Sequence, residues 1–387
     1  MTIGGTVGAV APARKKLALH QLTGIRFIAA LWVVLFHFQF QILGILPEAG
    51  SLRGVFNAGD MAVDLFFVLS GFIISYQYMG KFTSGAGDYK SFLWKRLARI
   101  YPVHIAMLGA FVLLLVAGKA VGASAGDPSL FTMGGAVKEV LLIRVWFGAD
   151  LGWNYPAWSL SAEWLAYLLF PLIANVVAYV SDRGRAAVLA LMGFVVCVQG
   201  VAAWITGSDM PIPVVRVLVG FTVGVALYCL SRDKSASVNA GWVGALLLVG
   251  LIVLTPVFSG SPARSTVGTA LSAGAIYLLA TGSGPAVRFL GSKALEYGGR
   301  ISFSMYLTHV FVIIVLARIF EADTWADRPL VLRLAVVIIH IGLAVGAGSA
   351  AYHLVEKPAH SYLTEALNRR RASRNQAGGK RVSLQDD

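Results

Sequence analysis

Residues 23–38 read TGIRFIAALWVVLFHF, an apolar run fit to cross a membrane that still carries a guanidinium, Arg26, and an imidazole, His37. Eleven residues of helix advance about 16 Å and rotate about 1100°, three turns plus about 20°, so the two side chains share one face at different depths. Arg26 lies near one boundary of the run, where it can meet an anionic ligand. His37 lies at or slightly beyond the midplane, where a charged imidazolium is costly and a neutral imidazole is a competent general base. A snorkelling Arg and a hydrogen-bonded core His would account for the same residues. Two ionisable groups on one face of a membrane span nevertheless weigh toward function.

Other chemistry-bearing residues lie at comparable depths. GDMAVDLFFVLSGFIISYQY places Asp64 about one turn inside the next apolar run, near the depth of His37. The joining loop is short, so a carboxylate that fixes the tautomer of His37 is geometrically available. The structural alternative has Asp64 capping its helix or pairing with Arg53, although Asp60 precedes the run directly and is the better cap. WSLSAEW puts Glu163 two turns inside another span, with Ser159 and Trp158 above it; a lone buried carboxylate there must be paired, protonated or used. In GRISFSMYLTH, Ser302, Tyr306 and His309 fall near one helical face, with Ser304 about one residue round from it. Taken alone, such hydroxyls are packing and interhelical hydrogen-bond residues. YKSFLWKRLARIYPVH reads as an interfacial amphipathic helix, in which Lys95, Arg96 and Arg99 either anchor lipid or grip phosphates. YHLVEKPAH reads as architecture, with Pro358 stopping the last span.

The elements that must hold these residues follow from composition. The chain has 387 residues, 57% hydrophobic and 13% charged, too apolar for a soluble protein with a polar skin. Apolar runs of about 18 residues or more recur near 23–46, 61–79, 102–122, 157–180, 186–206, 212–230, 239–258, 265–282, 301–320 and 330–354. The expected fold is therefore an all-α polytopic bundle of about ten transmembrane helices. Most Lys and Arg fall in alternate loops and in the tail NRRRASRNQAGGKR, which predicts that both termini are cytoplasmic. The net charge of +13 suits anionic membrane lipids better than nucleic acid.

The division expected is a basic N-terminus over 1–22, a membrane domain over 23–358, and a mobile basic tail over 359–387. The first apolar run is too long for a cleaved signal and reads as the first span. Trp146, Trp153, Tyr155 and Trp158 read as an interfacial aromatic belt. Cys197 and Cys229 both fall inside spans, which supports neither a disulfide framework nor a metal site. A transporter with the same intramembrane charges, or a non-catalytic lipid-binding scaffold, competes with an enzyme; no internal repeat of the kind transporters carry is visible.

In this order the segments resemble the acyltransferase 3 family of integral-membrane O-acyltransferases, over nearly the whole chain. The match rests on an Arg, ten residues and a His in the first span (Arg26 and His37), on VDLFFVLSGFII, on the segment carrying Arg96, Arg99 and Pro102, and on WSLSAEW, ISFSMYLTH and VEKP. Thr23 stands where the family often has Asp, and Phe303 where Tyr is frequent. The resemblance implies an acyl group, commonly acetyl, moved from acyl-CoA to a hydroxyl, often on a cell-envelope glycan or lipid-linked saccharide at the bacterial inner membrane. A small hydroxylated natural product is the alternative acceptor. In that frame His37 is the expected base, oriented by Asp64. Arg26, Arg96 and Arg99 bind donor phosphates; Ser302, Ser304, Tyr306 and His309 line the donor pocket. Glu163, Ser159 and Trp158 form the acceptor side, and no metal is expected.

Overall fold

The computed structural model describes residues 19–122, 131–147, 152–209, 212–232 and 236–383. In chain order its α-helices are α1 (His20–Ile45), α2 (Arg53–Asn57), α3 (Ala62–Thr83), α4 (Tyr89–Ala120), α5 (Met133–Val140), α6 (Trp158–Ser181) and α7 (Arg185–Thr206). They continue as α8 (Pro213–Ser231), α9 (Val238–Leu254), α10 (Ala263–Ala280), α11 (Pro285–Leu290), α12 (Lys293–Ile319), α13 (Leu330–Ala351) and α14 (Lys357–Ser383). Among the described residues no strand forms beyond one isolated bridge between Ser237 and Gly282. Hydrocarbon offers the backbone no partners, so each apolar segment satisfies its own N–H and C=O groups as helix.

Nine stretches among the described residues are long and apolar enough to cross a membrane, each overlapping an expected span, and the chain is an integral membrane protein. The tenth expected span, 265–282, forms as α10 but is more polar than the rest. Its Ser265, Thr269 and Ser272 are fully buried, and α10 packs against α3, α7, α8 and α9. A helix shielded from lipid on so many sides needs less hydrophobicity to stay inside the bundle.

Two close helix pairs frame the interior. A Cβ on Gly71 of α3 would lie 2.1 Å from Phe221 O of α8, and one on Gly224 of α8 would lie 2.0 Å from Val68 O of α3. Likewise a Cβ on Gly299 of α12 would lie 1.9 Å from Thr23 O of α1. Lipid tails supply no hydrophobic drive between helices, so such backbone approach is how membrane helices gain contact.

Three expectations change. The segment 89–104 is not a separate interfacial helix: α4 runs unbroken through Pro102 from its cap, Asp88, whose Oδ1 accepts the Ser91 N–H at 2.9 Å. Its apolar side is anchored by Phe92, whose ring meets those of Phe82 (5.5 Å) and Phe170 (5.3 Å). Pro358 does not stop the last span. A π-turn, Tyr352–Glu356, absorbs the missing donor, and α14 follows directly. The basic tail expected over 359–387, polar and without periodicity, is helical to Ser383. There α14 packs along α4, with a Glu365–Arg369 pair one turn apart. Of the N-terminal segment expected over 1–22, residues 1–18 lie outside the described residues and α1 already begins at His20.

Gly224→Ala should force α3 and α8 apart and cost about 1–3 kcal/mol, read as a lower melting temperature in detergent. Gly109→Ala, where a Cβ meets nothing within 4 Å, should leave the melting temperature unchanged; equal effects of the two would contradict this packing.

Candidate active site

A cavity of about 300 Å³ lies between α1, α3, α4, α6 and α12, with one wall contribution from α14. The chain direction of these helices gives it two ends. Near the start of α1 and α4 it is lined by Arg26, Arg96, Arg99 and His360. Near the start of α6 it is lined by Ser159 and Tyr306, with Glu163 between the two ends.

Arg26 Nε and Arg96 Nε are buried and without a hydrogen-bond partner. Arg96 Nη2 donates to Tyr78 OH at 3.3 Å, and its guanidinium lies 5.3 Å from the centre of that ring. Arg99 is close enough to Arg26 and to His360 for their charges to interact. Among the described residues none of the three arginines has a carboxylate at ion-pair distance. Glu163, the acid of the cavity wall, accepts hydrogen bonds from Ser70 Oγ (2.6 Å) and Tyr167 OH (2.5 Å). Glu356, hydrogen-bonded to Ser304, also lies near enough to Arg26 and Arg99 for their charges to interact; three guanidiniums beside two carboxylates that are already hydrogen-bonded make a site for an anion.

Neither His37 nor His309, both expected at the site, lines this cavity; the two imidazoles pair with each other beyond its Tyr306 end. Tyr306 OH donates to Pro156 O at 3.0 Å and accepts from Ser159 Oγ at 2.8 Å. One turn further along α12 stands His309, its ring 5.8 Å from that of Tyr306. His309 Nε2 lies 3.0 Å from His37 Nδ1, and the rings are 4.8 Å apart. His37 Nδ1 is also 3.0 Å from Val33 O. A carbonyl only accepts, so this contact favours the tautomer with the proton on Nδ1 and leaves Nε2 of His37 as the basic nitrogen. That Nε2 is buried and has no partner. Tyr155 presents its ring to His37 edge-on at 5.8 Å.

Several expected positions differ. Asp64 does not orient His37, and it neither caps its helix nor pairs with Arg53. Its two oxygens accept from Arg216 of α8, Oδ1 from Nε at 3.1 Å and Oδ2 from Nη2 at 2.7 Å, at 0% exposure. A fully buried carboxylate takes the guanidinium at its own depth, and the partner of His37 is His309. Asp60 is no helix cap either: it meets Arg264 at 2.6 Å, which also holds Asp209 at 2.9 Å. Ser304 points away from the cavity and donates to Glu356 of the π-turn at 2.6 Å. Ser302 lines the cavity while donating to Gly299 O in its own helix. Trp158 is not in the cavity wall; it packs against Phe67 and lies 5.3 Å from the Arg216 guanidinium. Of the supposed aromatic belt, Trp146 and Trp153 use their indole N–H groups on Ser161 O and Thr132 O, which ties a loop to the bundle.

Arg216 and His360 were not singled out from sequence. Arg216 carried the same signal as Arg26, an arginine within an apolar span. His360 carried none, because it follows a proline expected to end the last span.

Replacing only Arg216 by Met should leave Asp64 as a lone buried charge, costing about 3–5 kcal/mol and lowering folded yield. The double change Asp64→Leu with Arg216→Met should recover much of that loss. Equal yields for the single and double variants would contradict this assignment of the pair.

Comparison with known proteins places this geometry in context. The acyltransferase domain of the acyltransferase 3 family matches residues 19–351. The acyltransferase MdmB of Streptomyces mycarofaciens is 31% identical over 242 residues, 56% of this chain and 59% of the relative. Protein 2 of the picA locus of Rhizobium radiobacter is 39% identical over 97 residues, 24% of this chain and 46% of the relative. A Staphylococcus aureus (strain COL) protein with O-acetyltransferase in its name is 27% identical over 171 residues, 41% of this chain and 25% of the relative. The matched part thus spans less than two thirds of each of these relatives. No solved structure matches. With a match that runs from the first described helix to the end of α13 and takes in most of the cavity wall, the chain belongs to the acyltransferase 3 family.

Proposed function

We propose that the protein is a membrane O-acyltransferase that moves an acyl group, acetyl in the simplest case, from acyl-CoA to a hydroxyl of an envelope or secreted glycan. The observation that carries this reading is the separation of two sets of unpartnered groups, linked through Tyr306, which lines the cavity and lies beside His309. Three guanidiniums without carboxylate partners lie at one end, and an imidazole nitrogen without a partner lies just past the other. Coenzyme A carries several phosphates and a thiol at the far end of a long arm, so its charge would rest on Arg26, Arg96 and Arg99 while its thioester approaches Tyr306. The orientation that suits this has the arginine end, and both termini, at the cytoplasm, where the basic loops also belong by the positive-inside rule. The acceptor would then enter from the opposite face of a bacterial inner membrane.

The chemistry follows from the residues at the imidazole end. Nε2 of His37 takes the proton of the acceptor hydroxyl as its oxygen attacks the thioester carbonyl. The carbon–sulfur bond breaks, and the imidazolium returns the proton to the leaving thiolate, giving an ester and free coenzyme A. His309 would hold the ring of His37 and its tautomer as a positioning residue. Tyr306 and Ser159, already hydrogen-bonded to one another, sit where charge develops on the carbonyl oxygen. Glu163, with Ser70 and Tyr167, would hold a hydroxyl of the acceptor. The names of the relatives supply the acyltransferase and O-acetyl part of this reading. The glycan part rests on the family resemblance, with a small hydroxylated natural product as the other acceptor to test.

His37→Ala should reduce acetyl transfer by about 10²–10⁴-fold while the protein still inserts and elutes as the wild type does. Transfer at the wild-type rate would overturn the mechanism. Mass spectrometry of surface polysaccharide from cells with and without the gene tests the acceptor, a loss of acetyl ester mass being the expected result.

A further inference from the structure

The family match ends at residue 351, yet the wall of the cavity does not. His360, on the first turn of α14, lines the same cationic end as Arg26, Arg96 and Arg99. Its position is fixed from both sides. Upstream, Glu356 of the π-turn is buried and accepts Ser304 Oγ of α12 at 2.6 Å. Downstream, α14 is fastened to α4: Trp94 Nε1 donates to Leu363 O at 2.9 Å, and Arg371 pairs with Asp88, the N-cap of α4. The Ser91 N–H and the Arg371 guanidinium hold the Asp88 carboxyl below the usual carboxylate range. Glu356, His360, Leu363, Thr364 and Arg371 recur at the spacing of one helical stripe, and the Thr364 hydroxyl on it is buried without a partner.

α14 is polar and carries two glycines, Gly378 and Gly379, near its end, so propensity alone does little for it, and it lies against α4. That contact brings an imidazole against two arginines whose charge it feels. A phosphate between the three would meet two guanidinium charges and a ring N–H.

We infer that α14 completes the donor site, with His360 a phosphate-binding residue and the α4–α14 contacts the fastening that holds it there. The ligand class is a nucleotide-bearing cofactor with multiple phosphates. This inference rests on the acyl-CoA reading above and adds to it a binding residue and a helix that lie beyond the family match.

The test uses the full-length protein in detergent with coenzyme A as the probe, measured by calorimetry. Against the wild type, His360→Ala should weaken coenzyme A by about tenfold or more, the loss of one hydrogen bond to a charged group. Trp94→Phe, which keeps the ring and removes the bond to Leu363 O, should weaken it less. Coenzyme A should also slow tryptic cleavage at Arg369 and Arg371 in the wild type, and protect the His360→Ala protein less. His360→Gln provides a second variant that keeps a hydrogen-bonding side chain and should fall between. If the wild type binds coenzyme A and Arg99→Ala abolishes binding while both His360 variants and Trp94→Phe bind as the wild type does, the inference is wrong and the donor reading stands. If the wild type does not bind coenzyme A, both are wrong.

Discussion

Desolvation of charge governs this protein. A guanidinium or carboxylate moved out of water costs several kcal/mol unless a partner meets it inside, and the chain buries both kinds. Asp64 with Arg216 joins α3 to α8, and Arg264 with Asp60 and Asp209 joins α10 to the entry of α3 and to the segment after α7. These pairs are satisfied, so they hold helices together and have nothing left to offer a ligand. Arg26, Arg96 and Arg99 are half-buried around the cavity without the same remedy. The contrast separates positive charge that builds the bundle from positive charge left without an ion pair.

Close packing sets the other half of the site. His37 and His309 lie on different helices, and a 3.0 Å contact between imidazoles needs those helices to stay near each other. Gly298 and Gly299 of α12 sit directly against Phe27 and Thr23 of α1, at separations that would admit no Cβ. The second apolar cluster, with Val34 and Phe38 of α1 against Met305 and Leu316 of α12, continues the interface on both sides of the imidazoles. The position of His37 is thus a property of a whole helix pair.

Much of this was legible in the sequence, and the limits have physical causes. Apolar length announced the helices, and helical spacing put Ser302, Tyr306 and His309 on one face, because both depend only on neighbours along the chain. What stands opposite a face depends on segments far away. Asp64 and His37 share a depth and a short connecting loop, yet the carboxylate found Arg216, 152 residues later, since a charge outcompetes a neutral ring for a buried carboxylate. Arg216 itself was legible by the rule that had flagged Arg26. The helix beyond residue 366 was not, because its polar, non-periodic sequence gives no sign of the α4 surface on which it lies.

The π-turn at Tyr352–Glu356 has a consequence for how this part of the chain can vary. A π-turn holds one residue more than the α-helical turn it replaces, and every residue after it is rotated by about 100° relative to an uninterrupted helix. Removing any single residue there would swing the imidazole of His360 about a quarter turn off the cavity and carry the Leu363 carbonyl away from the Trp94 indole, with all side chains downstream unaltered. The segment therefore works as a ruler: a one-codon gap there would shift everything downstream at once, which no single substitution does.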